Sequence, residues 1–116
     1  IGAGDVNKDG RADVLVPSGW FEAPADPRNG AWTWHPDFES FGMKSTGFLH
    51  VLDVDQDGRN DVITGLAHDY GIFFLRNAGD GKFQKQLIDD SWSQPHATTI
   101  VDLNKDGRPD LLTGKR

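Results

Sequence analysis

The residues with the clearest chemistry lie in three acidic loops, Asp5-Val-Asn-Lys-Asp-Gly-Arg-Ala-Asp13, Asp53-Val-Asp-Gln-Asp-Gly-Arg-Asn-Asp61 and Asp102-Leu-Asn-Lys-Asp-Gly-Arg-Pro-Asp110. In each, oxygen-bearing side chains stand at loop positions 1, 3 and 5, glycine at 6 and a further aspartate at 9. Alternate side chains of a tight loop converge on one point, and the glycine permits the sharp turn. Position 7 offers its carbonyl, so the whole set suits Ca²⁺, which takes about 6 to 8 hard oxygens. The expected ligands are Asp5, Asn7, Asp9 and Asp13 in the first loop, Asp53, Asp55, Asp57 and Asp61 in the second, and Asp102, Asn104, Asp106 and Asp110 in the third. The carbonyls of Arg11, Arg59 and Arg108 complete each set. About three Ca²⁺ ions per chain are expected. The pattern opens like an EF-hand, but position 12 is Val16, Thr64 or Thr113 where that loop needs a bidentate Glu, and β-rich residues follow in place of a helix. The plain alternative, solvated Asp-Gly turns, accounts poorly for a triple recurrence.

Charge agrees with filled sites. The chain carries 18 acidic against 12 basic residues, a formal net charge of -6, and ten of the twelve expected side-chain ligands are aspartates. Three calcium ions would offset that charge, whereas without metal the crowded carboxylates repel one another. A net negative surface argues against nucleic acid or an anionic membrane as partner. With no cysteine, any metal must sit on oxygen or imidazole. No apolar run approaches the roughly 18 residues of a membrane span, so no membrane insertion is expected. The sequence opens at Ile1 in mid-pattern, without initiator Met or leader, and reads as a processed product or an excised piece.

The loops recur at a near-constant spacing of roughly 48 residues, which makes internal repetition the primary organising signal. Apolar, β-rich runs follow each loop: Val14 to Val16, Val62 to Thr64 and Leu111 to Thr113. Similar runs, Leu49 to Leu52 and Ala97 to Val101, precede the second and third, so each acidic loop joins two strands. Between the loops, Trp20-Phe21 and Trp32-Thr33-Trp34 flank a stretch ending in the tight-turn pair Asn29-Gly30, and Gly79-Asp80-Gly81 separates strands expected over 71–76 and 83–88. No window sustains a helical period. About four short strands per repeat of this length match one blade of a β-propeller. The predicted fold is all-β: four-stranded antiparallel blades, about two and a half of them in an incomplete ring, with repeats at approximately 1–46, 47–95 and 96–116. An ordinary β-sandwich with repeated turns would not explain the regular spacing.

The loops, together with Phe73-Phe74-Leu75-Arg76-Asn77-Ala78-Gly79-Asp80-Gly81-Lys82-Phe83, resemble the FG-GAP/VCBS-type repeats of integrin-α-like propellers. The resemblance covers essentially the whole chain. It implies that each loop joins the first and second strands of a blade and binds calcium. Two and a half blades cannot close a ring. The expected partners are therefore the remaining blades of a larger propeller, before other copies of the chain, which would each lack a free outer strand pair to share.

Four histidines invite a second chemistry. His50 and His96 precede their loops on the inner strands, on the face where propeller ligands usually bind, and His68 follows the second strand of its blade; His35 stands apart. Imidazoles near a carboxylate suit Zn²⁺ or acid–base work, so His50, His68 and His96 form a candidate second metal or ligand site, set against the plainer reading as hydrogen-bonding side chains. Gly19-Trp20-Phe21-Glu22 and Ser91-Trp92-Ser93-Gln94-Pro95-His96 are also similar to the propeller part of aldos-2-ulose dehydratases, which implies a zinc-dependent sugar-converting enzyme as the alternative function. Trp20, Trp32, Trp34 and Trp92 would stack on sugars in that reading and pack between blades in the other. The leading expectation is a calcium-binding scaffold for a protein or carbohydrate ligand, extracellular or periplasmic, where millimolar calcium fills weak sites. No catalytic residue is assigned.

Overall fold

Among the described residues, ten strands form three antiparallel sheets. The computed structural model describes residues 1–115; Arg116, the last residue of the third expected repeat, lies outside them. Strands β1 (Gly2–Gly4), β2 (Asp13–Val16), β3 (Gly19–Glu22) and β4 (Thr33–His35) make the first blade. Strands β5 (Thr46–Leu52), β6 (Asp61–Leu66), β7 (Tyr70–Gly79) and β8 (Lys82–Ser93) make the second. A half-blade follows, β9 (Pro95–Val101) paired with β10 (Asp110–Lys115). The fold is the expected set of propeller blades, two complete and one of two strands, with no closed ring among the described residues. The acidic loops join β1 to β2, β5 to β6 and β9 to β10.

Local chemistry explains the turns. Glycine at loop position 6 takes positive φ in all three loops, 87° at Gly10, 92° at Gly58 and 84° at Gly107, a region closed to most side chains. Position 4 is also left-handed, at Lys8, Gln56 and Lys105, each near 60°. Between β7 and β8, Gly79 faces Lys82, and Asp80 and Gly81 both take positive φ, as a two-residue type I′ turn requires. The sequence-based turn here is right, although both strands run well beyond 71–76 and 83–88. Asn29-Gly30 is different. It makes no two-residue hairpin turn, because β3 ends at Glu22 and β4 begins at Thr33. Asp26 organises that longer loop, taking Gly30 N on its carbonyl at 2.7 Å and Arg28 N and Asn29 Nδ2 on its carboxylate at 3.1 and 2.9 Å. A single 3₁₀ turn, Glu39–Phe41, lies on the connection to β5.

Packing decides where the core sits. Val6, Leu15, Trp20, Phe38, Met43, Leu49, Val62 and Leu75 are buried in one cluster drawn from both complete blades, so the core is the interface between two sheets rather than the interior of one. Phe38 meets Phe83 edge to face at 5.0 Å, which ties the connection between blades to the second blade. Along β2, buried and half-buried residues alternate, as one covered face dictates. Along β6, every residue from Asp61 to Gly65 is buried, because the second blade is covered by the first on one side and by β9 on the other.

Close approach of the inner strands needs small residues. A Cβ on Gly2 would lie 2.2 Å from the Leu49 carbonyl oxygen, and one on Gly47 would lie 2.7 Å from that of Pro95. Backbone cannot yield as a side-chain tip can. Gly2→Ala is expected to push β1 off β5 and destabilise the chain by about 1–3 kcal/mol, read as a lower Tm. An unchanged Tm would mean that the inner strands are not packed this closely.

Candidate metal centre

The same hydrogen-bond scheme recurs in the three loops. The position-1 carboxylate accepts from the position-6 glycine N–H, at 2.8 Å from Gly10 to Asp5, 3.0 Å from Gly58 to Asp53 and 2.9 Å from Gly107 to Asp102. The position-5 carboxylate accepts from the position-7 N–H at 2.9 Å in each, from Arg11 to Asp9, Arg59 to Asp57 and Arg108 to Asp106. The position-3 oxygen of Asn7, Asp55 and Asn104 accepts from the position-5 N–H at 3.1–3.2 Å. Backbone donors therefore hold the side chains of positions 1, 3 and 5 against the turn, a scheme that local sequence alone produces.

The aspartate at position 9 does something more. Asp13 and Asp61 are fully buried. Asp13 Oδ2 accepts from Val6 N at 2.8 Å and Oδ1 from Ala23 N at 2.9 Å, and Asp61 accepts likewise from Val54 N at 3.0 Å and Asn77 N at 2.8 Å. Each carboxylate thus joins the start of its loop to the chain just beyond β3 or to the third strand, β7. Burial pushes both carboxyls above the ordinary carboxylate value, the two backbone donors pull the other way, and neighbouring loop aspartates add to the rise.

Side chains of the position-7 arginines, which sequence reasoning used only for their carbonyls, take part too. Arg11 Nε donates to Ala23 O at 2.8 Å and Arg59 Nε to Asn77 O at 2.8 Å, while their Nη2 atoms bind Asp9 and Asp57. The signal was present: a carbonyl ligand needs no particular side chain, yet arginine stands at position 7 three times. In the second loop Arg76 also reaches back, with Nε 2.6 Å from Asp55 Oδ2 and Nη2 2.9 Å from Asp57 Oδ2. This guanidinium holds the Asp55 carboxyl below its usual range.

Among the described residues, Asp53, Asp55 and Asp61 form an acidic group whose oxygens lie within 4.8 Å of one another. Asp57 is instead engaged by Arg59 and Arg76. Asp53 Oδ1 is buried without a hydrogen-bond partner, an orphaned carboxylate oxygen among other carboxylates. A hard divalent cation is the partner that this donor set fits, since an isolated buried acceptor costs free energy that a cation would recover. In the first and third loops, where position 3 is Asn7 and Asn104, the three aspartates form no such group among the described residues. Adjacent loops also touch: Asn60 Nδ2 donates to Asp5 O at 2.6 Å, and Lys8 Nζ lies 3.4 Å from Asp53 Oδ2.

The histidines divide. His68 and His96 meet edge to face with ring centroids 4.9 Å apart, and His96 Nε2 is buried without a partner. His50 lies past the middle of β5, and its Nε2 donates to Thr98 O at 3.0 Å, linking two inner strands. His35 stacks on Trp20 at 4.2 Å and donates to Glu22 at 2.8 Å. Trp20 is buried and donates to Asp37 Oδ2 at 2.8 Å, whereas Trp32 and Trp34 are exposed, the latter against Phe21.

Repeated four-stranded blades with an acidic loop between the first two strands define a propeller-repeat protein. A family model described as the FG-GAP-like repeat matches residues 53–113, more than half of the sequence, and the chain belongs to this family. A curated relative, integrin alpha pat-2 of Caenorhabditis briggsae, is 35% identical over 99 residues, covering 63% of this chain and 8% of the relative. The chain therefore spans less than a tenth of that relative's length. No solved structure matches it.

Removing Asp61 would strand two backbone donors, Val54 N and Asn77 N. Asp61→Ala is expected to cost about 1–3 kcal/mol in chelator, where no metal effect contributes. Urea denaturation measures it; a midpoint equal to that of the parent chain would contradict the structural role.

Proposed function

We propose that this chain is a calcium-stapled segment of a propeller that works as an interaction scaffold outside the cytoplasm. The observation that carries the reading is the Asp53, Asp55 and Asp61 group with its orphaned Asp53 oxygen. In the proposal Asp5, Asn7, Asp9, Asp13 and the Arg11 carbonyl hold one ion. Asp53, Asp55, Asp57, Asp61 and the Arg59 carbonyl hold a second, and Asp102, Asn104, Asp106, Asp110 and the Arg108 carbonyl a third. The protein's part is to present converging oxygens on strand-anchored loops. A bound Ca²⁺ supplies positive charge that relieves carboxylate repulsion and links the ends of the first two strands. The repeats run at approximately 1–46, 47–95 and 96–116, and the remaining blades come from a larger propeller. The integrin alpha relative supports a protein ligand and an extracellular setting. A carbohydrate ligand is the other choice, and the exposed Trp32 and Trp34 are its candidate contacts.

A second reading, a metal-dependent carbohydrate-active enzyme, draws on one observation: His68 against His96 with Nε2 of His96 unpartnered. Zn²⁺ would suit that pair. The two readings predict different metal contents.

Elemental analysis of the unchelated protein is expected to give calcium near three per chain and no stoichiometric zinc; zinc near one per chain would favour the enzyme. Calcium at about a hundred times its Kd is expected to stabilise the fold by roughly 2.7 kcal/mol per site, lost on chelation. Asp55→Asn should weaken one site and leave the others. A Tm indifferent to calcium and chelator would sink the staple.

A further inference from the structure

In both complete blades one residue at the third strand is gripped at two backbone atoms. Ala23 donates its N–H to Asp13 Oδ1 at 2.9 Å and accepts Arg11 Nε on its carbonyl at 2.8 Å. Asn77 donates to Asp61 Oδ1 at 2.8 Å and accepts Arg59 Nε at 2.8 Å. Ala and Asn share no side-chain chemistry. The grip therefore reads backbone, with a charged partner at each end to strengthen it.

The half-blade carries the same two residues, Arg108 and Asp110, at the same loop positions. Asp110 Oδ2 accepts from Leu103 N at 2.9 Å, as Asp13 does from Val6 and Asp61 from Val54. Among the described residues, however, Asp110 Oδ1 and the Arg108 guanidinium have no partner, and Asp106 Oδ2 is taken by Asn104 Nδ2 at 3.1 Å instead of by an arginine. Asp110 is only half-buried where Asp13 and Asp61 are fully buried. Beside it β10 pairs with β9 alone, so its other edge is open, and Leu112 is 51% exposed.

We propose that Arg108 and Asp110 form a vacant backbone clamp that captures an extended strand antiparallel to β10. Register follows from the complete blades. Val14 faces Phe21 and Val62 faces Leu75, which sets Ala23 opposite Ala12 and Asn77 opposite Asn60. The captured residue therefore lies opposite Pro109 and presents its N–H and C=O toward the loop. The occupant is the outer strand pair of this blade, the part that β3–β4 and β7–β8 supply in the others. A second copy is a poor source because both its outer pairs are already in use. Main-chain pairing along β10 supplies affinity, and the clamp fixes register. For its partner the inference rests on the scaffold reading, but it does not depend on calcium.

The test rebuilds the missing pair by repeating residues 67–93 of this chain after Lys115, since Leu66 in β6 corresponds to Lys115 in β10. All measurements use one saturating calcium concentration, so failure of the clamp is distinct from failure of the staple, which chelation reads. The extension is expected to slow hydrogen exchange of β10 amides by about tenfold or more. Arg108→Ala is expected to lower the Tm of the extended chain by roughly 3–8 °C while changing that of the 116-residue chain by no more than ~1 °C. Equal shifts in both chains, or unprotected β10 amides in a folded extended chain, would overturn the proposal. Should the extended chain not fold, a peptide of residues 70–93 is titrated onto the 116-residue chain. Binding weakened about tenfold by Arg108→Ala supports the clamp, and no binding overturns it. Self-association of the 116-residue chain that protects β10 and is abolished by Arg108→Ala would assign the edge to a second copy and overturn the choice of occupant.

Discussion

A buried carboxylate at the end of the acidic loop is the interaction on which the two complete blades depend. Asp13 and Asp61 have lost contact with water, which is costly for a charge unless its oxygens are satisfied. Two backbone N–H groups satisfy each, one from the loop and one from the third-strand side. The aspartate therefore cannot be accommodated unless loop and strand are both in place. That requirement couples the local turn to the sheet, and it links the loop's acidic chemistry to the integrity of the blade.

The second constraint is how near the inner strands approach one another. Backbone-to-backbone contact at Gly2 and Gly47 leaves no room for a side chain, and the apolar cluster from Val6 to Leu75 fills the wider space between the sheets. Each blade is thus completed by its neighbour. The first blade shows the consequence in its alternating burial, the second in the near-total burial of β6. The half-blade has a neighbour on one side only, and it exposes Leu112 and the edge of β10.

Electrostatics within the loops sets crowded carboxylates against arginine side chains. Guanidinium groups of Arg11, Arg59 and Arg76 engage Asp9, Asp57 and Asp55, whereas Asp53 Oδ1 keeps no protein partner. Arginine is bulky and planar and binds carboxylates from the rim, so it cannot replace a small ion at the point where several oxygens converge. The arginines brace the loop from outside and leave Asp53 Oδ1 unpaired.

Much of this was legible in the sequence because it is local. A nine-residue loop repeated at even spacing, with its glycine at position 6, dictates the turn and the blade count within short stretches of chain, and the Asp80-Gly81 turn follows from two residues. Asn29-Gly30 misled because Asp26, three residues before Asn29, organises a longer loop. Neighbouring residues are enough to specify the all-β repeat and the acidic loop pattern. Packing of the sheets is what lets arginine side chains grip the third strand, Asn60 reach Asp5, His50 join Thr98 and His68 meet His96. Those contacts join residues on different strands or blades, and their geometry exists only once the sheets have packed.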